Sequence, residues 1–414
     1  MQLTADIGVD LGRFAQTLEA SSRIGAGREG GLARLALGDA DRDMRDLFVQ
    51  WCREAGLAVR IDELGNIFAR RAGREDDLAP VLVGSHLDTQ ANGGRFDGII
   101  GVLGALELVR RLNDLGHTTR RPIEIVNWTN EEGARFSPPM ICSGGFAGVY
   151  ERDWVLARRA DDGPTLGEEL QRTGYAGDAP VGGFVPDSYF ELHIEQGPIL
   201  DAEGIDVGIV TRAYESHGFR VQFSGDTAHA GPWPMERRRN ALVAAARLCV
   251  LVDDIGWDFA ESGGKSTTAR LVAWPNKTGI ISDWSEVNVD IRHEDPRIAA
   301  IMAERVLRAV GEAAARAGCT GEIVERWNWG GEFFDPGLIA GVREQALRLG
   351  HATRDLASQA GHDAYFLARI CPAVLIFTPC RDGITHNHRE DVDMERLRAG
   401  LDTLLHAVGA RADA

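Results

Sequence analysis

The chain has 414 residues, 44 % of them hydrophobic and 26 % charged, with 62 acidic against 45 basic side chains and a formal net charge of −17. This is a globular composition, long enough for two or three domains and a large buried core. The acidic excess excludes non-specific binding to nucleic acid or to an anionic membrane surface, which depends on Lys and Arg against phosphate. No apolar run is long enough to span a bilayer, and residues 1–12 lack the basic start of a secretion signal. The six cysteines are scattered without CxxC spacing, so reduced thiols and a cytoplasmic location are expected.

In chain order, residues 41–55 are amphipathic at helical spacing. Residues 58–61 and 66–70 read as a hairpin joined at Glu63-Leu64-Gly65. A short apolar run at 80–84 leads into Ser85-His86, as a buried strand does, and 98–112 is a helix rich in small residues. Residues 123–128 form another strand, ending at Asn130-Glu131-Glu132. This alternation predicts an α/β sheet with helices on both faces, whose ligands gather at the carboxyl ends of its strands. The middle of the chain changes character. Residues 218–224 alternate apolar and polar, 236–253 is a helix, 267–273 and 287–291 are strands, 296–317 is a long helix and 323–327 a last strand. The expected organisation is one α/β domain of residues 1–212 and 331–414 interrupted by an inserted α+β domain at 213–330. After it, 372–378 is a buried strand, followed by a polar loop at 381–390 and a closing helix.

Several residues at strand ends carry chemistry. His86 is followed by Asp88, and a metal-bound imidazole usually gives its other N–H to a carboxylate, which Asp88 could supply. Asp97 sits among the glycines of Gly93-Gly94-Arg95-Phe96-Asp97-Gly98. Glu131 and Glu132 are adjacent carboxylates that would repel one another in a dry site unless a cation relieves them. Glu191 and His193 share one strand face, and His386 follows the 372–378 strand. Each has a plainer reading when taken alone: a loop histidine, a helix cap at Asp97, a solvated acidic turn at Glu131-Glu132. Together they offer three imidazoles and two or three carboxylates, a mixture suited to Zn²⁺, Mn²⁺, Co²⁺ or Ni²⁺ rather than Ca²⁺ or Mg²⁺. That exceeds what one tetrahedral zinc needs and fits a two-metal site with a shared carboxylate.

The strings GSHLDTQANGGRFDG, NWTNEEGARF, ELHIEQGP, AHAGPWPM, NVDIRH, AGHDA and DGITHNH resemble the hydantoinase/carbamoylase amidases of the dinuclear metallopeptidase clan. That branch holds N-carbamoyl-L-amino-acid hydrolases, β-ureidopropionases, and allantoate and ureidoglycolate amidohydrolases. The resemblance implies a mixed-sheet catalytic domain with an inserted α+β lid and dimerisation domain, and two divalent metal ions per chain. It implies that His86 and His193 bind one ion, that Glu132 and His386 bind the other, and that Asp97 bridges them. Glu131 would be the general base toward the metal-bridging water, and Asp88 would orient His86. His229 would stabilise the oxyanion from the partner subunit of a homodimer. Asn276, Arg292 and the backbone of Gly361 would hold the carboxylate of a small-molecule substrate, and Gln196 its carbamoyl end. The implied reaction is hydrolysis of an N-carbamoyl amino acid to the amino acid, CO₂ and ammonia. The alternatives are allantoate or ureidoglycolate hydrolysis, or acyl-amino-acid deacylase or peptidase activity. A metal-binding protein without catalysis is a further reading, against which the intact Glu131 argues. The chain departs from many relatives at Trp233, which bears on substrate size, at Gln359 where Gly is frequent, across 277–286, and at Tyr214 to Gly218. His117, His351 and His406 are expected as surface or packing residues, with His388 left open near the site.

Overall fold

The computed structural model describes residues 3–414. Its strands, in chain order, are β1 (Ala58–Ile61), β2 (Ile67–Arg71), β3 (Val81–His86), β4 (Ile123–Trp128), β5 (Ser188–Ile194), β6 (Val207–Ala213), β7 (Glu215–Ser224), β8 (Lys265–Trp274), β9 (Trp284–His293), β10 (Thr320–Trp329), β11 (Thr353–Ser358) and β12 (Ala373–Thr378). The chain divides into two compact units, Met1–Arg212 with Glu332–Ala414, and Ala213–Gly331.

The first unit is built on an eight-stranded sheet of order β1-β2-β4-β3-β5-β12-β6-β11. β3 runs parallel to β4 and β5, and β5 parallel to β12, whereas β1–β2, β2–β4 and β12–β6 are antiparallel. Every residue of β3, β4, β5 and β12 is buried, as a parallel core covered on both faces requires. Alternation on β5 assigns the faces. Leu192 points to the long helices Ile99–Asp114 and Met394–Asp413, beside Gly104 and Gly400. Glu191 points the other way and accepts the Ala364 N–H at the start of the short helix Ala364–Leu367. The carboxyl ends of β3, β4, β5 and β12 therefore open along one edge of the sheet.

The loops at that edge are anchored from below by buried charge. Arg45 and Asp41, on the helix Asp39–Glu54, have fully buried side chains and pair at 2.7 Å. The Arg45 fork also donates to the Gly65 carbonyl at 2.8 Å and to Thr129 Oγ1 at 3.2 Å. Asn66, held in the β1–β2 turn by the Asp62 carboxylate, accepts the Thr129 N–H at 3.0 Å. The segment after β4 that carries Glu131 and Glu132 is thus tied to the hairpin twice. Arg34, also fully buried, donates to the Leu87 carbonyl at 3.2 Å and braces the segment after β3.

The second unit is a four-stranded antiparallel sheet of order β10-β7-β9-β8. Phe219, Val221, Phe223, Val287, Val289 and Ile291 alternate inward to form its core with the helices Ala241–Asp258 and Pro296–Ala317. The helix expected at 236–253 begins five residues later. Pro234 leads into a separate 3₁₀ turn, Met235–Arg237, and the Asn240 side chain caps the helix by accepting the Leu242 N–H. Among the described residues, all six cysteines are free, and no helix is long and apolar enough to cross a membrane.

Breaking one side of a fully buried ion pair strands the other charge, at a cost of about 3–5 kcal/mol. Asp41→Ala should therefore destabilise the chain by about that amount. The double change Asp41→Leu/Arg45→Met should cost less than Asp41→Ala alone. Urea denaturation of the three proteins checks the order, and the reverse order would show that the pair is not the anchor described.

Candidate metal centre

His86, the last residue of β3, and His193, the penultimate residue of β5, are both buried and offer the same nitrogen. His86 Nδ1 lies 2.9 Å from the carbonyl of Asp88, and His193 Nδ1 lies 2.9 Å from the carbonyl of Ile194. A carbonyl can only accept, so each Nδ1 carries the proton, and in the neutral ring each Nε2 presents a lone pair. This is the tautomer of a metal-binding histidine with its ring fixed from behind. The Asp88 carboxylate, expected from the sequence to orient His86, does not do so. Its oxygen stands 3.9 Å from Nδ1 and accepts instead the backbone N–H groups of Glu131 and Glu132, each at 3.3 Å. The peptide carbonyl of Asp88 is nearer to the ring than its side chain, so the orienting is done by backbone.

Asp97 lies between two groups of donors. Its Oδ1 is 3.0 Å from His193 Nε2 and 3.9 Å from His86 Nε2. Its Oδ2 is 3.3 Å from His386 Nε2, which is itself 3.2 Å from Glu132 Oε2. Two ligand sets result, His86–Asp97–His193 and Asp97–Glu132–His386, each with its donor atoms within 4.8 Å of one another. Asp97 belongs to both. The alternative role of Asp97 as a helix cap does not hold. The cap of Ile99–Asp114 is Gly98, with no side-chain cap hydrogen bond, and the Asp97 carboxylate turns into the site.

Gly98 makes the approach of the rings possible. Its φ is +68°, and a Cβ there would stand 2.2 Å from His86 Nε2. Its N–H reaches His193 Nε2 at 2.9 Å. Gln90 donates to Glu132 Oε2 at 2.8 Å, and Gln196 donates to Asp97 Oδ2 at 2.9 Å, leaving its own buried Oε1 without a hydrogen-bond partner.

The electrostatics call for positive charge. Burial raises the Asp97 carboxyl, but the neighbouring imidazoles of His193 and His386 outweigh it and hold Asp97 well below the usual carboxylate range. Burial opposes the charged form of His386, yet Glu132 and Asp97 push its imidazole up to about 11. Burial lowers His86. Glu131 is pushed well above its ordinary value, first by burial and then by Asp363, Glu132, Asp88 and Asp97. Two imidazole lone pairs aimed at one shared carboxylate, amid surplus buried acids, fit divalent cations of the zinc, manganese, cobalt or nickel type. Glu131 stands outside both sets, with Oε2 3.4 Å from His86 Nε2.

Residues 82–410 match the peptidase family M20/M25/M40. The chain belongs to this family. It is 40 % identical to an N-carbamoyl-L-amino-acid amidohydrolase of Rhizobium meliloti, over 97 % of this chain and 96 % of the relative. It is 33 % identical to another of Paenarthrobacter aurescens, over 96 % and 97 %. A crystal structure of an amidase of the hydantoinase/carbamoylase family from Burkholderia vietnamiensis superposes with a TM-score of 0.96 at 46 % identity, covering all of both chains.

The first unit of this M20 chain thus contains His86, Asp88, Asp97, Glu131, Glu132, His193, Gln196, Gly361 and His386, and the second contains His229, Asn276 and Arg292. His229 is exposed, and its Nδ1 accepts the Gly231 N–H at 3.1 Å. Asn276 is exposed in the turn after β8, with φ +48°. Arg292 donates to Asp290 at 2.6 Å, with its guanidinium 4.8 Å from the Trp329 ring centre. Trp233 anchors its own loop by donating to the Arg237 carbonyl. His117 pairs with Asp413, and His406 is buried against the Ile7 carbonyl. His388 pairs with Glu29 at 3.1 Å and is in neither ligand set.

Four residues at the site carried no role in the sequence. His362 packs its ring 4.4 Å from that of His193, and Asp363 is the charge that bears most on Glu131. Both lie in the quoted AGHDA string, where an acid and an imidazole inside an apolar run were the available signal. Thr385 and Glu390 flank His386, and Glu390 is buried.

Gly98→Ala should weaken binding at His86–Asp97–His193 by 10-fold or more, the order seen when ligand support is lost. Metal content by mass spectrometry checks this, and wild-type content would show that the ring and the helix start have room for a Cβ.

Proposed function

We propose that this M20 chain hydrolyses the carbamoyl C–N bond of an N-carbamoyl amino acid, giving the amino acid, CO₂ and ammonia. The observation that carries the reading is Glu131, a buried carboxylate beside His86 that neither ligand set uses. The relatives' names support the substrate class. His86 and His193 would hold one divalent ion, Glu132 and His386 the other, with Asp97 between them. Bound there, the ions supply Lewis acidity, lowering the pKa of water toward neutrality and polarising the ureido carbonyl.

The remaining work falls to the chain's own side chains. Glu131 takes a proton from the attacking water at its carboxylate oxygen and delivers it to the leaving nitrogen as the C–N bond breaks. Gln196 turns its Nε2 to Asp97, so its bare Oε1 is an acceptor for a ureido N–H, a contact that an acetyl group cannot make. His229 accepts at Nδ1, so its neutral ring keeps the proton on Nε2 as a donor to the developing oxyanion. Arg292, whose planar fork matches a carboxylate, together with Asn276 and the Gly361 backbone, binds the substrate carboxylate. In this reading the chain is a cytoplasmic homodimer, its inserted unit the lid and the dimer surface, and His229 serves the partner's site.

The test uses chain stripped by chelator and refilled in turn with Mn²⁺, Co²⁺, Zn²⁺ or Ni²⁺. Ammonia or acetate release is followed from N-carbamoyl-L-amino acids, N-carbamoyl-β-alanine, allantoate, ureidoglycolate and N-acetyl amino acids. N-carbamoyl-L-amino acids should turn over fastest, and stripping should abolish activity. Glu131→Gln should lower kcat by about 10²- to 10⁴-fold with metal content unchanged. Faster turnover of N-acetyl amino acids, or no turnover of any ureido compound, would sink the proposal.

Sharing of residues has its own check. Inactive His229→Ala and Glu131→Gln proteins, mixed and allowed to exchange subunits, should regain about a quarter of wild-type activity, since half the dimers are mixed and each carries one intact site. Absence of recovery with exchange proven would place both residues in one subunit's site.

A further inference from the structure

The glycines before Asp97 are not accounted for by metal binding alone. Gly98 clears His86, but Gly94 is far from both ligand sets in role, and what it clears is Glu390. A Cβ at Gly94 would stand 2.1 Å from the Glu390 carboxyl. The Glu390 side chain enters the loop of Asp97 through that gap. Its Oε1 accepts the N–H of Phe96 at 2.9 Å and the N–H of Asp97 itself at 3.1 Å. Its Oε2 lies 2.9 Å from the hydroxyl of Thr385, the residue before His386. The same hydroxyl lies 2.7 Å from Asp97 Oδ2. A hydroxyl has one proton, so Thr385 is a single bridge shared by two carboxylates.

From this geometry we propose that Glu390 is a positioning residue for the ligand set Asp97–Glu132–His386. It fixes the backbone that carries Asp97 to the loop that carries His386. The inference rests on the two-ion reading above. The segments it joins follow β3 and β12, far apart in sequence, and among the described residues no backbone hydrogen bond links Asp97 to Thr385 or His386. The other set is braced differently. His86 and His193 are fixed by the carbonyls of Asp88 and Ile194, and Gly98 N–H meets His193. Asp97 serves both sets, but only Asp97–Glu132–His386 also includes the second segment that Glu390 holds, so loss of Glu390 should weaken that ion more than the other. A carboxylate that merely filled a loop would lower stability without choosing between ions.

The test is calorimetric titration of the chelator-stripped full chain with Zn²⁺ or Mn²⁺, with thermal midpoints of the stripped proteins measured alongside. Wild type should take up two equivalents. Glu390→Ala should weaken one equivalent by about 10- to 100-fold and the other by clearly less. Glu390→Gln should restore near wild-type binding, because its oxygen still accepts both N–H groups and its amide donates to Thr385, which then donates to Asp97. Thr385→Val keeps the backbone clamp and removes only the bridge, so it should shift the same equivalent by less. It also decides the matter if Glu390→Ala does not fold. A single equivalent in the wild type overturns the two-ion reading and this inference with it. Two wild-type equivalents, with both shifted alike or neither shifted in Glu390→Ala and Thr385→Val, overturn the inference alone.

Discussion

One carboxylate organises the first unit. Asp97 offers Oδ1 to one pair of nitrogen donors and Oδ2 toward another donor pair, and it does so with 3 % of its surface exposed. A buried carboxylate facing two ways has little freedom to rotate, so its backbone must be placed rather than left to find its position. Gly98 permits a left-handed turn against two imidazole rings, and the segments after β3, β4, β5 and β12 all converge on that spot. A sheet whose central strands run parallel is the architecture that brings such distant segments to one edge.

The charges are layered accordingly. The site side holds Asp88, Glu131, Glu132, Asp97 and Asp363, all in low-dielectric surroundings. The fully buried cations Arg34 and Arg45 lie behind it and spend their donors on carbonyls, two hydroxyls and Asp41 rather than on the carboxylates of the two ligand sets. Their field still reaches Asp88, whose burial and acidic neighbours push it up while Arg45 pulls it down. The result is a site with surplus acid facing the sheet edge and cationic side chains behind it.

Much of this was legible in the sequence because the signals were local. The hairpin at 58–70, β3, β4 and the helix Pro296–Ala317 follow from apolar runs and from an N-cap aspartate with proline behind it. His86, Glu132 and His193 stand out as polar residues at or just past the ends of apolar strands, Asp97 by the glycines around it, and His386 in the polar loop after the 372–378 strand. What the sequence hides is non-local. Arg45 belongs to an ordinary amphipathic helix, and only the fold brings it to Thr129. Glu390 reads as one more acid in a polar loop until Gly94 opens a path to the Asp97 backbone. Asp88 was found by its spacing, but spacing cannot tell a side-chain oxygen from the peptide oxygen of the same residue. The late start of the helix Ala241–Asp258 has a similar cause, since a cap at Asn240 outweighs the helical periodicity that precedes it.

The place of β12 in the sheet has a consequence for how the chain acquires its shape during synthesis. β12 lies between β5 and β6, so without residues 373–378 the sheet falls into two separate pieces, β1 to β5 on one side and β6 with β11 on the other. The second unit is one unbroken stretch and has all of its strands and helices before that point. The second unit is therefore synthesised whole while the first unit still waits for its middle strand. His386, Thr385 and Glu390 emerge later still. Until then the nascent chain exposes two unpaired strand edges and an incomplete set of donors at the site.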